Sequence, residues 1–105
     1  MLDDTTKEQV LKVLETNEKI HSAFFKYDGK KVEESAKALQ SSIEGIKNKE
    51  VAKHLKFSKD KLNEIKADRD RKKNNQTYHL VSMALIHIIN KYDVGDIIMP
   101  TLAQW

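Results

Sequence analysis

Three side chains able to bind a soft metal ion, His79, Met83 and His87, recur every four residues in the stretch YHLVSMALIHIINKY, Tyr78 to Tyr92. On a helix that spacing makes one row of imidazole, thioether and imidazole, a donor set that suits copper. The row is slanted. With Leu80 at zero, the apolar face runs from about 0° to about 180°, while His79 falls near about −100°, Met83 near about −60° and His87 near about −20°. His79 is therefore expected on the polar face beside Asn90, and His87 at the edge of the core. At roughly 1.5 Å per residue the ends of the row lie about 12 Å apart. One ion can take an adjacent pair, His79 with Met83 or Met83 with His87, and needs further ligands from another helix or from Met99. The competing reading is packing or surface, the usual fate of a lone His or Met at helical spacing.

A second pair of polar residues sits where a core is expected. Asn17 and His21 are one turn apart near the centre of the first apolar face. Burial without partners would cost a few kcal/mol, so the pair is expected to hydrogen-bond internally, to Ser58 or Ser82, or to water. Either it fixes helix register or it offers ligands.

Other chemistry is sparse. The chain has no cysteine, which excludes disulfides, thiolate zinc sites and cysteine nucleophiles. No phosphate-cradling glycine loop, nucleophile elbow or paired Glu-x-x-His set is present, so an enzyme is not expected. Met and His are available for a haem bundle, but no spacing singles out a ligand pair. AKHLKFSKDKL, Ala52 to Leu62, is a remote candidate for histidine phosphotransfer. Leu55 and Lys56 come one residue too early after His54 for that motif, and Phe57 stands where a small residue should admit a partner.

The elements that must position these residues follow from composition and periodicity. One domain is expected from 105 residues. One third of them are charged, with three glycines and one proline, so long helices joined by short turns are favoured. TTKE at Thr5 offers a hydroxyl cap with Glu8 three residues on. Val10, Val13, Leu14, Ile20, Phe24 and Phe25 then fall on one side, up to a break at Gly29. Val32, Ala36, Leu39, Ile43 and Ile46 form a seam spaced four and three. Val51, Leu55, Ser58, Leu62 and Ile65 repeat it behind a cap at Asn48. Leu80, Val81, Ala84, Leu85, Ile88, Ile89 and Tyr92 give the last helix the widest face, expected to be the most buried.

The expected fold is all-α: an up-down-up-down antiparallel four-helix bundle with helices at roughly 6–26, 30–47, 49–68 and 74–92, and a short extended tail over 93–105. A helical hairpin completed by dimerisation is the alternative. The net charge of +3 is spread among interleaved signs, and ADRDRKKNNQ, Ala67 to Gln76, carries no aromatic residue to stack on a base. Nucleic acid is not an expected partner. No run approaches the about 18 apolar residues of a membrane span, and MLDDTTKEQV lacks the pattern of a secretion signal. The apolar tail IIMPTLAQW, with Ile97, Ile98, Met99 and Trp105, is a candidate interaction segment for a partner or a second copy, so the chain is read as monomer or homodimer.

LETNEKIHSAFFKYDGKKVEESAKAL, with its polar-studded helix and Asp-Gly turn, and YHLVSMALIHIINKY, with His79 three residues before Ser82, carry a family likeness. From about Val10 to Trp105 the chain resembles an uncharacterised bacterial family of small exported helical bundles, found alone and appended to the membrane-fusion adaptors of copper and silver efflux systems. The resemblance implies a periplasmic or otherwise exported location, a role near metal handling, and a metal-efflux or envelope protein as partner. Members commonly carry Cys-Pro-Met and then tryptophan in the tail. Here Met99 precedes Pro100 without the cysteine, so no metal ligand is carried over through that motif.

Overall fold

The computed structural model describes residues 3–92, and the side chains of all of these except Ile89 and Tyr92. Four helices follow in order, α1 over Asp4–Phe25, α2 over Gly29–Glu44, α3 over Lys49–Leu62 and α4 over Arg71–Tyr92, with no strand among the described residues. The protein is an all-α four-helix bundle.

Each helix begins on a side chain that satisfies orphan backbone N–H groups. Asp3 accepts from Thr6 N at 2.7 Å, Asp28 from Lys30 N at 3.1 Å, Asn48 from Val51 N at 3.1 Å and Asp70 from Lys73 N at 3.2 Å. The first start differs from the expected cap at Thr5. The Asp3 carboxylate accepts from Thr6 N and adds a charge that the helix dipole favours, so the helix starts before Thr5, and Thr5 and Thr6 are helical. Asp70 likewise starts α4 three residues before the expected position.

Hydrogen bonds between helices fix their directions. Glu33 meets Ala67 while Gln40 meets Asn63 and Lys59. His54 meets Lys91 while Ser58 meets Val81, and Asn17 meets Tyr78 while Tyr27 meets Asn74. In each set the partner's number falls as the residue's own number rises, the pattern of antiparallel neighbours.

α2 and α3 bury the residues their seams predict: Val32, Ala36, Leu39 and Ile43, then Val51, Leu55, Ser58 and Leu62. Ile46 and Ile65 are buried just beyond the helix ends. α3 stops at Leu62, short of the expected 68, because residues 63–70 are bound elsewhere. Ala67 N donates to Glu33 at 3.0 Å. The fully buried Asn74 donates to Lys66 O at 2.9 Å, Arg69 O at 3.3 Å and Tyr27 Oη at 3.0 Å. Gly29 belongs to the same knot, since a Cβ there would lie 2.8 Å from Ala67 O. Arg71 lies over the Tyr27 ring at 4.9 Å and Arg69 donates to Thr77 at 2.8 Å, so part of the basic stretch is engaged within the fold.

α4 departs from its expected face. Among its described side chains the buried ones are Asn74, Thr77, Tyr78, Val81, Leu85 and Ile88, a narrow seam, whereas Leu80 is 44% exposed; Ile89 and Tyr92, also assigned to that face, lie outside the described side chains. Three side chains with polar tips enter the bundle because partners await them, and the face turns away from Leu80 accordingly. Phe25 is corrected in the same way: assigned to the core side of α1, it is 80% exposed.

Candidate functional site

α1 packs closely on α2, α2 on α3 and α3 on α4, but α1 and α4 have no comparable backbone approach. Large side chains bridge them instead. Phe24 and Tyr78 stack with ring centroids 4.9 Å apart and planes 11° apart, both buried. Above this floor runs an open groove of about 450 Å³. α4 supplies Asn75, Tyr78, His79, Ser82, Met83 and Ile86, one helical stripe, and α1 supplies His21, Phe24 and Phe25. Its rim exposes apolar surface: Phe25 at 80% and Met83 at 57%.

Behind the floor, the Tyr78 hydroxyl donates to Asn17 Oδ1 at 2.8 Å. Burial pushes the Tyr78 hydroxyl up to about 12 from its usual 10.0, partly opposed by the neighbouring Ser82 hydroxyl and reinforced by the negative charge of Glu18. The phenol therefore stays protonated across the physiological range and acts as a fixed donor. Asn17 is completely buried, and its Nδ2 is the buried side-chain nitrogen with no hydrogen-bond partner among the described residues.

The expected buried pair of Asn17 and His21 is not formed as a buried unit. Asn17 faces the core and binds Tyr78, whereas His21 is exposed on the groove wall. A rotation of about 40° between positions i and i+4 suffices to separate them across the helix edge. The row on α4 also divides. His79 and Met83 line the groove, while His87 does not and is exposed, not at the core edge as expected. His21 joins the first two from the opposite helix. Met99, with Ile97, Ile98 and Trp105, lies outside the described residues. No group of three or more His, Asp or Glu able to hold a metal ion occurs among the described residues. The set in the groove differs in kind, two imidazoles and one thioether.

His54, the phosphotransfer candidate, is half-buried with Nε2 3.0 Å from Lys91 Nζ. Sequence reasoning missed Tyr78 and Asn74. Their signal was present in the spacing, since both fall on the seam of Val81, Leu85 and Ile88, but the polar tips argued against burial. No helix among the described residues is long and apolar enough to cross a membrane. Comparison with protein-family models, with curated proteins and with solved structures finds no match to this chain.

Proposed function

We propose that the protein is a non-enzymatic binding module that holds a copper-like ion in the groove between α1 and α4. His79 and Met83, one turn apart on α4, supply the adjacent pair, and His21 supplies a third donor from α1. The observation that carries this reading is that all three line the same groove although His21 and His79 are far apart in sequence. The donor chemistry fits. Imidazole and thioether suit copper, and none of the described groove-lining residues is an Asp or Glu that would favour magnesium or calcium. The resemblance to exported bundles associated with copper and silver efflux supports a periplasmic setting and an envelope or efflux partner.

Titration of the purified protein with copper(I), copper(II) and zinc, followed through the histidine ring NMR signals, tests the reading. The expected result is that His21 and His79 shift at micromolar copper while His87 does not. Unmoved His21 and His79 signals would overturn it.

A second reading, a docking module without metal, is favoured by one observation: the exposed Phe25 and Met83 on the rim of an aromatic-floored groove. Monomer and homodimer are distinguished by concentration-dependent sedimentation.

A further inference from the structure

The two loops at one end of the bundle pack on each other. Gly29 lies against Ala67, Asn74 donates to the Tyr27 hydroxyl and Arg71 covers the Tyr27 ring. This packing joins residues 26–31, with three lysines and one aspartate, to residues 66–73, with five basic and two acidic residues. Together the two segments carry +5, more than the +3 of the whole chain, so the remainder is net acidic. Charges interleaved along the sequence are sorted in space. The acids of this end are engaged: Asp28 and Asp70 cap α2 and α4, Glu33 holds Ala67 N and Lys37, and Glu64 pairs with Lys61 and Arg69. Glu34 shares a surface hollow in which Lys19, Lys26 and Lys31 outnumber it and Asp28. Lys30, Lys66, Lys72 and Lys73 are exposed.

Apolar surface adjoins these cations. The exposed Phe25 ends α1 directly before Lys26, and the exposed Leu80 shares a stripe of α4 with Lys72, about 12 Å away along the axis. We propose that this end of the bundle is a peripheral membrane-binding surface that takes the anionic headgroups of a lipid bilayer. Lysine ammonium groups meet phosphates as point charges, and their long stems let them reach headgroups while apolar neighbours enter the acyl boundary. Each lysine near an anionic surface strengthens binding roughly fivefold. Leu80 favours a bilayer over nucleic acid as the occupant. It has no ring face to stack on a base, yet gains by burial among acyl chains. The proposal goes beyond the metal reading and does not depend on it.

Co-sedimentation of the full chain with vesicles tests it, in the presence of a metal chelator. One set of vesicles mixes phosphatidylglycerol with phosphatidylcholine, and the other is phosphatidylcholine alone. The variants are Lys30→Glu with Lys31→Glu, Lys72→Glu with Lys73→Glu, Phe25→Ser, and a control at the opposite end of the bundle, Lys47→Glu with Lys49→Glu. The three doubles change net charge equally. All these side chains are exposed and glutamate is favoured in the first turn of a helix, so the fold is kept, which far-UV circular dichroism verifies. The expected result is binding to the anionic vesicles alone. It weakens by about tenfold or more in the Lys30/Lys31 and Lys72/Lys73 doubles and by about threefold or more in Phe25→Ser, while the control double keeps it. No binding to the anionic vesicles overturns the proposal. So does an equal loss in the control double, which makes net charge the cause, and so does unchanged binding by Phe25→Ser, which leaves attraction without insertion. Tighter binding to a single-stranded oligonucleotide or to polyglutamate at the same salt overturns it as well, since the occupant is then a different polyanion.

Discussion

The Tyr78 hydroxyl donates to the side-chain oxygen of Asn17 at 2.8 Å across the α1–α4 seam, inside a wall of apolar residues. It is a buried polar link at a helix pair that lacks close backbone packing, so its loss acts on both helices. Tyr78→Phe leaves the Asn17 amide without its partner and is expected to destabilise the fold by about 1 to 3 kcal/mol in urea unfolding. Asn17→Leu in that background should recover part of the loss. Recovery absent in the double variant would mean that the link acts through shape alone.

Alkaline titration follows from the same hydroxyl. Its folded value of about 12 lies above the usual 10.0, so its stabilising contribution is complete below pH 10 and is lost as pH rises toward 12. One of the three tyrosines should ionise late in a spectrophotometric titration, and Tyr78→Phe should remove that late step.

Gly29→Ala should destabilise the bundle by about 1 to 3 kcal/mol, because the added methyl meets the Ala67 carbonyl, a backbone atom that cannot swing aside. Thermal unfolding measures it. Gly45→Ala is the control, as the nearest atom to an added Cβ there is a carbonyl at 3.4 Å.

Acid should loosen the loop between α3 and α4. The Ala67 N–H bonded to Glu33, aided by Lys37, holds that carboxyl below its usual 4.5. A lowered folded value means the contribution is present above pH 4.5 and is lost as pH falls through the folded value. Glu33→Gln should therefore flatten the acid limb of the stability profile, with wild type and variant converging at the lowest pH.

Within the metal reading, His79→Ala and Met83→Ala should each weaken copper(I) binding by tenfold or more, on the order of 1.4 kcal/mol, while His87→Ala leaves it unchanged. Competition with a colorimetric chelator measures this. Equal effects at His79 and His87 would return the site to the α4 row and remove His21 from it.

Much of the fold is legible along the chain because its signals are local. The four-three spacing of Val32, Ala36, Leu39 and Ile43, and of Val51, Leu55, Ser58 and Leu62, places these residues on one side of a helix whatever surrounds it. Asn48 caps α3 for the same reason, its partner being three residues away. The cap of α1 differs because two residues two positions apart, Asp3 and Thr5, can each start the helix, and the carboxylate of Asp3, bound to Thr6 N, starts it earlier.

The rim and floor of the groove were not legible in that way. Leu80 and Tyr78 differ by two positions, and hydrophobicity alone prefers to bury the leucine; the structure buries the tyrosine because Asn17 and Phe24 meet it. His21 and His79 reach one groove only through the docking of α1 beside α4.

The sequence by itself determined the number of helices, their seams and the inventory of donors, since each depends on contacts within a few turns. Tertiary structure alone decided which polar residues go inside, which side of α4 faces the core and which donors share a groove. Those choices turn on pairing across the chain, where the free energy of a buried hydroxyl or amide depends on a partner that helical spacing does not reveal.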